Sequence, residues 1–301
     1  MDKTDDKKSL FMQELQKMEL KIVDLYQIFG IQKPEGAVGM LTCYVQPTSE
    51  KISPRRLRPG ILIIPGGGYN HVSAREGEPV ALRFLARGYC AFVLEYSVAP
   101  RRFPTQLREA AMAMRYIREN AAAFGVAADG IAATGFSAGG HLCGTLGTMF
   151  DCPEVRDIGA PEQLRPDALG LCYPVAVSWG NTHEGSFRCL CGEDAALWQR
   201  LSLDALVRPD MPPVFLWHTR SDETVPVRNS LILAEKIDAA GVEFAMHIYR
   251  QGNHGLSTAD EQAHPVGQVP PVSWDVPGWL EAEVRFFEEI GIKSRDYEVS
   301  L

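Results

Sequence analysis

The chain lacks the features that would direct it to a membrane or to nucleic acid. It has 301 residues, 46% of them hydrophobic, yet no apolar run approaches the length of a membrane-spanning helix. The first fifteen residues alternate in charge and contain no apolar stretch of signal-peptide length, so we expect a cytoplasmic protein. The formal net charge is -8 without any clustered stripe of Lys and Arg, which argues against nucleic acid and anionic membranes as partners.

The sequence also lacks a disulfide framework and a metal-binding pattern. Its seven cysteines are an odd number without the spacing of a small disulfide-rich domain, which suits a reducing compartment. Cys189 and Cys191 could supply half of a zinc site, but no second C-x-x-C pair and no pair of histidines follows at zinc spacing. We therefore predict that the protein uses no metal ion and no organic cofactor.

Strand-like segments alternate with helix-like segments along most of the chain. This order predicts an α/β fold with a mostly parallel central sheet and helices on both faces. Residues 1–36 are charged and partly amphipathic and are predicted to form a peripheral N-terminal arm, whereas residues 37–301 are predicted to form a single domain. The stretch around 174–213 is too long for a plain connection and is predicted to be an insertion over the functional site.

The most informative motif is Gly-Phe-Ser-Ala-Gly-Gly at residues 135–140. An apolar run at 131–134 predicts a buried strand before it, and apolar residues at helical spacing follow it. Glycines flank the serine because a strained turn leaves no room for a Cβ at those positions. The pattern predicts a nucleophile elbow with Ser137 at its tip.

A nucleophilic serine requires a base that takes its proton and an acid that orients the base. His254 lies in a Gly-rich loop after the acid, and it alone of the seven histidines is in a loop that directly follows a predicted strand, at 243–249, and precedes a closing helix. Asp222 lies just beyond a predicted strand at 214–218. Glu223 is the alternative acid, but we favour Asp222 because it is closer to the strand end.

The negative charge that develops during acyl transfer needs preorganised N–H donors. The triple glycine at 66–68 follows a predicted strand, so Gly67 or Gly68 could supply one donor, and Ala138 the other. A phosphate-binding loop is the alternative for a triple glycine, but neither of the two common phosphate-loop patterns is present. Tyr69 and Trp179, together with Trp198, could stack on a sugar ring, with packing in the core as the alternative for each.

Several longer motifs occur in a consistent order: PGGGY (65–69), REGEPVA (75–81), LEYSVAP (94–100), GFSAGGHL (135–142), YPV (173–175), THEGS (182–186), PPVFLWHTRSDETVPV (212–227) and GNHGL (252–256). On these motifs the chain, from about residue 38 onward, resembles the α/β-hydrolase fold, and within it the bacterial acetyl esterases and acetylxylan esterases. Lipase-like esterases carry His before the triple glycine, whereas this chain has Pro65, which fits the sugar-esterase-like branch.

The resemblance implies catalytic roles for Ser137, Asp222 and His254 and an oxyanion hole from Gly67 or Gly68 with Ala138. It also implies a serine hydrolase of short-chain carboxylic esters, whose expected substrate is an acetylated sugar or xylo-oligosaccharide. A general carboxylesterase or lipase-like enzyme, an amidase or peptidase of the same fold, and a non-catalytic binding protein stay open as alternatives. The oligomeric state is open as well, with a homo-oligomer as one alternative.

Overall fold

The computed structural model describes residues 18–49 and 51–296. Within this part of the chain one sheet contains nine strands, eight of which follow the order β1-β2-β4-β3-β5-β6-β7-β8, while β9 pairs with the start of β3. The strands are β1 (Glu19–Asp24), β2 (Met40–Val45), β3 (Arg56–Ile64), β4 (Cys90–Glu95), β5 (Val126–Phe136), β6 (Leu169–Cys172), β7 (Val214–Thr219), β8 (Phe244–Tyr249) and β9 (Arg295–Asp296).

Helices fill most of the connections between the strands. They are α1 (Leu25–Phe29), α2 (Glu78–Ala86), α3 (Thr105–Glu119), α4 (Ala121–Phe124), α5 (Ala138–Thr148), α6 (Pro161–Leu164), α7 (Glu184–Cys191), α8 (Ala195–Arg200), α9 (Leu203–Leu206), α10 (Arg228–Ala239) and α11 (Trp279–Glu289). No helix of the described residues is long and apolar enough to cross a membrane.

Two hydrophobic cores lie on opposite faces of the sheet. In β3 the side chains of Leu62 and Ile64 pack in one core, whereas those of Ile61 and Ile63 pack in the other, as the alternation of a strand requires. The first core is covered by α3, α5 and α10, and the second by α2 and α11. A strand with both faces buried is apolar without interruption, which explains the continuous apolar run that identified β3.

Every neighbouring pair within the series β4-β3-β5-β6-β7-β8 is parallel, whereas β1 with β2, β2 with β4 and β9 with β3 are antiparallel pairs. The predicted mostly parallel sheet with helices on both faces is therefore confirmed. Because the carboxyl ends of parallel strands lie along one edge, the loops after β3, β5, β7 and β8 meet there.

The predicted N-terminal arm falls partly outside the described residues, since residues 1–17 are among those that the structure does not describe. From Glu19 onward the arm belongs to the sheet: β1 pairs antiparallel with β2 along six residues, and Leu25 and Tyr26 of α1 are buried. The strand β2 begins at Met40, directly after Gly39, which has a positive φ of 57°.

The segment predicted as an insertion, around 174–213, connects β6 to β7. It contains the three short helices α7, α8 and α9, and its first residues run along the carboxyl edge of the sheet. The backbone N–H of Val175 donates to the carbonyl oxygen of Ser137 at 3.1 Å, so the segment starts in contact with the predicted nucleophile.

Candidate active site

Ser137 lies at the turn between β5 and α5, in a strained backbone conformation. Its φ is 54° and its ψ is -117°, a region that residues with a side chain rarely adopt. The flanking glycines permit the turn: a Cβ at Gly135 would overlap the backbone of Gly139, and one at Gly139 would overlap the carbonyl oxygens of Ile64 and Pro65. The structure thus holds the serine in the geometry of a nucleophile elbow.

A continuous chain of hydrogen bonds joins the three predicted catalytic side chains. Nε2 of His254 lies 2.7 Å from Oγ of Ser137, and Nδ1 of the same ring lies 2.6 Å from Oδ2 of Asp222. The three residues are distant in sequence but lie in loops that follow β5, β7 and β8 at one edge of the sheet. Both ring nitrogens of the histidine are therefore engaged, one with the hydroxyl and one with the carboxylate.

Asp222 is buried and fully hydrogen-bonded. Its Oδ1 accepts the backbone N–H groups of Thr224 at 3.0 Å and Val225 at 2.9 Å. Burial would raise the pKa of this carboxyl, but the hydrogen bonds from His218 and His254 outweigh that effect and lower it. The carboxylate consequently stays ionised at neutral pH. Glu223, the alternative acid, is exposed to solvent.

His218 also contributes to the site, although no role was predicted for it from the sequence. Its buried ring lies with Nε2 at 3.3 Å from Oδ2 of Asp222 and at 2.8 Å from the carbonyl oxygen of Val225. Its Nδ1 forms a 2.7 Å hydrogen bond with Oγ of Ser230. The rings of His218 and His254 therefore both contact Oδ2 of the acid. The position of His218 as the fifth residue of β7, four before the acid, was the signal available in the sequence.

The glycine loop after β3 lies directly against the nucleophile. A Cβ at Gly66 would be 3.0 Å from the Cβ of Ser137. Gly67 and Gly68 have φ values of 121° and 64°, which glycine adopts without strain. Gly67 and Gly68 both line the pocket that contains Ser137, and Ala138 is the first residue of α5 directly after the serine.

A pocket of about 380 Å³ opens above Ser137 and His254. Most of the residues around it are polar or glycine. The lining residues are Gly67, Gly68, Asn70, His71, Ser73, Arg75, Glu76, Ser137, His183, Gly185, Cys189, Thr224, His254 and Gly255. The predicted nucleophile, the predicted base and the glycine loop thus share one cavity.

Comparisons with known proteins identify the family. The family model described as BD-FAE matches residues 48–157, and that of the prolyl oligopeptidase family matches residues 190–269. The crystal structure of an acetyl ester-xyloside bifunctional hydrolase from Caldicellulosiruptor lactoaceticus is 35% identical, covers 91% of this chain and 97% of its own, and superposes with a TM-score of 0.78. The chain belongs to the α/β-hydrolase family.

Two further relatives agree with this assignment. The α/β hydrolase MGS-M1, from a Medee basin deep-sea metagenome library, is 33% identical with a TM-score of 0.74 and covers 92% of this chain and 99% of its own. Endo-1,4-beta-xylanase B of Butyrivibrio fibrisolvens is 37% identical over 215 residues, 67% of this chain. The chain spans about a third of the length of that curated relative, 33%.

The predicted sugar-stacking aromatics do not line the pocket of this α/β hydrolase. Tyr69 is only 1% exposed, and its hydroxyl is 2.7 Å from Nδ1 of His141, whose Nε2 lies 2.7 Å from the carbonyl oxygen of Leu201. Burial lowers the pKa of His141 to about 4, so the ring stays neutral in this core network. The assignment of Tyr69 to substrate stacking is corrected: its φ of 57° turns the ring away from the pocket and into the core.

Trp179 is half exposed, at 50%, and its Nε1 donates to Oδ2 of Asp204 at 3.0 Å. It lies in the insertion but outside the residues that line the pocket of this α/β hydrolase. Trp198 donates to the carbonyl oxygen of Gly192 at 2.8 Å and packs against Phe187, so it is a structural residue. The core alternative therefore holds for Tyr69 and Trp198.

The described residues contain no group of three or more His, Cys, Asp or Glu side chains that could hold a metal ion. All seven cysteines are free thiols, and burial raises the pKa of most of them, including Cys191, whose pKa rises to about 12. The side chains of Cys189 and Cys191 lie on α7 in this α/β hydrolase, where Cys191 is buried.

Proposed function

We propose that this protein is a serine esterase that removes acetyl groups from a sugar or a xylo-oligosaccharide. The observation that carries the proposal is the hydrogen-bond chain from Ser137 Oγ through His254 to Asp222, with distances of 2.7 Å and 2.6 Å. A nucleophile, a base and an orienting acid in this order are what acyl transfer requires. The family assignment supports the same reaction class.

In the first half of the reaction, His254 takes the proton of Ser137 as Oγ attacks the ester carbonyl carbon. The carbonyl oxygen becomes negatively charged and accepts hydrogen bonds from the N–H of Ala138 and from Gly67 or Gly68. Asp222 holds the ring by its Nδ1–H and stabilises the imidazolium cation. Since the lowered pKa of Asp222 keeps it ionised, the acid needs no proton of its own.

In the second half, the tetrahedral intermediate collapses and the alcohol leaves with the proton that His254 carries. An acyl-serine remains on Ser137. Water then loses a proton to His254 and attacks the acyl carbon, and collapse of the second intermediate releases the carboxylic acid and restores the serine hydroxyl. Neither half requires a metal ion or an organic cofactor.

The surroundings of the serine favour a small acyl group. The pocket above the serine has a volume of only about 380 Å³, which is at the small end of the range for ligand sites. The same pocket is lined by polar side chains that suit a hydroxylated alcohol. The relatives include an acetyl ester-xyloside bifunctional hydrolase and an endo-1,4-beta-xylanase, which supports acetylated xylose units as the substrate. The proposal includes a cytoplasmic location, which seven free thiols suit.

The proposal is tested with the purified protein on p-nitrophenyl acetate, butyrate and octanoate, on acetylated xylo-oligosaccharides and on an acetanilide. We expect kcat/KM to fall steeply from acetate to octanoate and acetate to be released from the oligosaccharides. Ser137→Ala is expected to reduce these rates at least about 1000-fold. The matched control is Ser178→Ala, which changes a serine of the insertion segment that does not line the pocket.

The alternatives give different results in the same assays. Faster hydrolysis of octanoate than of acetate would favour a general carboxylesterase, and cleavage of the anilide at a comparable rate would favour an amidase. Unchanged ester hydrolysis in Ser137→Ala would overturn the assignment of the nucleophile. Absence of hydrolysis together with absence of labelling by a fluorophosphonate would favour a non-catalytic binding protein.

A further inference from the structure

A buried carboxylate that the triad does not use lies between the two halves of the site. Glu76 is only 2% exposed, at the end of a short 3-10 helix, Ala74–Glu76. None of the ion pairs formed by the described residues includes it. Burying a charged group without a cation is costly, so hydrogen bonds must hold this carboxylate in place.

One oxygen of Glu76 holds the glycine loop. Its Oε2 accepts the backbone N–H of Gly66 at 2.8 Å. A Cβ at Gly66 would lie 2.6 Å from the carbonyl oxygen of Phe136, 2.8 Å from Oε2 of Glu76 and 3.0 Å from the Cβ of Ser137, so Gly66 is in close contact with both the elbow and the glutamate. The hydrogen bond that Gly66 donates to Glu76 fixes this glycine at the elbow. Gly67 and Gly68 follow Gly66 directly in the chain, so the hydrogen bond at Gly66 also restricts their positions.

The other oxygen of Glu76 holds the loop of the base. Its Oε1 accepts the hydroxyl of Tyr173 at 2.8 Å, and that hydroxyl accepts the backbone N–H of Ser257 at 2.9 Å. Ser257 comes three residues after His254, and the ring of Tyr173 lies edge-on to the histidine with centroids 5.1 Å apart. Burial and the adjacent Glu76 raise the pKa of Tyr173, so its hydroxyl remains protonated and donates.

A second connection joins the loop of the base to the segment that contains Glu76. Oγ of Ser257 donates to the carbonyl oxygen of Arg75 at 2.5 Å, next to Glu76 in the chain. The loop of the base is therefore joined to the segment of the glutamate both through the Tyr173 hydroxyl and directly through Arg75, whose guanidinium also donates to the carbonyl oxygen of Gly255 at 3.3 Å. The oxyanion side is joined to the same segment by Gly66.

We propose that Glu76 is a positioning residue that fixes the glycine loop and the His254 loop relative to each other. The proposal rests on the proposed esterase function. It means that the oxyanion donors and the base approach the substrate as one rigid unit, linked by a carboxylate that never touches the reacting atoms. A misplacement of about 1 Å between such groups can cost on the order of 100-fold in rate.

The test compares Glu76→Gln and Tyr173→Phe with the matched control Glu78→Gln. Glu78 lies two residues further on, is exposed, and accepts the hydroxyl of Tyr44 at 3.2 Å. In Glu76→Gln the side-chain oxygen can still accept from Gly66, but only N–H groups remain for Tyr173, whereas Tyr173→Phe keeps the ring packing and loses the hydroxyl. Active sites are titrated with a fluorophosphonate, and kcat and KM are measured for p-nitrophenyl acetate.

We expect kcat per titrated site to fall about 10- to 100-fold in both variants, with KM within about threefold of wild type. The double variant is expected to lose little more than either single variant, because both break the same connection. Glu78→Gln should match wild type. A kcat per titrated site within twofold of wild type, whatever the melting temperature, would overturn the proposal.

Two outcomes need separate treatment. If Glu76→Gln fails to fold, as circular dichroism would show, Tyr173→Phe decides the question by the same criteria. If wild type hydrolyses none of the esters, the proposed function fails, but the rate of fluorophosphonate labelling at Ser137 still tests the coupling, with the same 10- to 100-fold reduction expected. A wild-type protein that is not labelled either would overturn both proposals.

Discussion

Glu283 should make the stability of this protein depend on pH in a way that a single substitution removes. The side chain, on α11, is completely buried and lies so close to Gly170 of β6 that a Cβ there would overlap it. Burial raises the pKa of Glu283 to about 8, and its contact with the hydroxyl of Thr134 offsets only part of that effect. The carboxyl is consequently protonated in the folded protein at neutral pH.

The sign and size of the effect follow from the two pKa values. The unfolded chain releases the proton of Glu283 near pH 4.5, but the folded protein keeps it until about pH 8. Between these values the unfolded state binds fewer protons, so the free energy of unfolding falls as pH rises, by up to about 1.4 kcal/mol per pH unit. From pH 5.5 to 7.5 the loss due to this group is about 2.5 kcal/mol.

The assay is urea unfolding at pH 5.5, 6.5 and 7.5, compared between wild type, Glu283→Gln and Glu288→Gln. Glu288 is an exposed residue of the same helix and serves as the control. We expect Glu283→Gln to lose about 2.5 kcal/mol less than wild type over this range, because its amide does not titrate, and Glu288→Gln to follow wild type. Parallel pH profiles of wild type and Glu283→Gln would refute the reasoning.

Two further predictions concern the site. Asp222→Asn is expected to reduce kcat about 10,000-fold on p-nitrophenyl acetate while the folded structure persists, because an amide orients His254 in the wrong tautomer; a loss below tenfold would contradict the assigned role. His183→Phe is expected to lower kcat/KM about tenfold on acetylated xylo-oligosaccharides but less than twofold on p-nitrophenyl acetate, since it removes a polar ring from the pocket while keeping its size. The comparison variant is Ser186→Ala, because Oγ of Ser186 lies 2.8 Å from Nδ1 of His183. Equal losses of kcat/KM on both substrates in His183→Phe would contradict a role of His183 in alcohol recognition.

Much of the fold and of the site could be predicted because local sequence patterns indicate them. The apolar runs of β3 and β5 and the glycines around Ser137 report directly on buried strands and a strained turn. The order of serine, acid and histidine along the chain, each just after a strand, is sufficient to predict that these three distant residues meet at one edge of the sheet. The resemblance to known esterase motifs points to the same residues.

The parts that escaped prediction depend on contacts between distant residues. Glu76 and Tyr173 are 97 positions apart, and nothing local in either segment reveals their hydrogen bond. Tyr69 was assigned to the pocket because it follows the glycines, but its backbone turns the ring into the core, where His141 provides a polar partner. The strand β1 was missed because its residues are mostly exposed and alternate weakly, although it pairs fully with β2.

The catalytic side chains and part of the pocket wall come from different segments of the chain, and this separation has an evolutionary consequence. Ser137, Asp222 and His254 are carried by turns of the sheet itself, whereas His183, Gly185 and Cys189 of the pocket wall come from the single connection between β6 and β7. Exchanging residues 183–191 of this connection between related proteins, with Tyr173 and Val175 kept, would alter the pocket wall and leave the hydrogen bonds of the reactive groups unchanged. New specificities can therefore arise in this scaffold by replacing one contiguous stretch of gene, without rebuilding its chemistry.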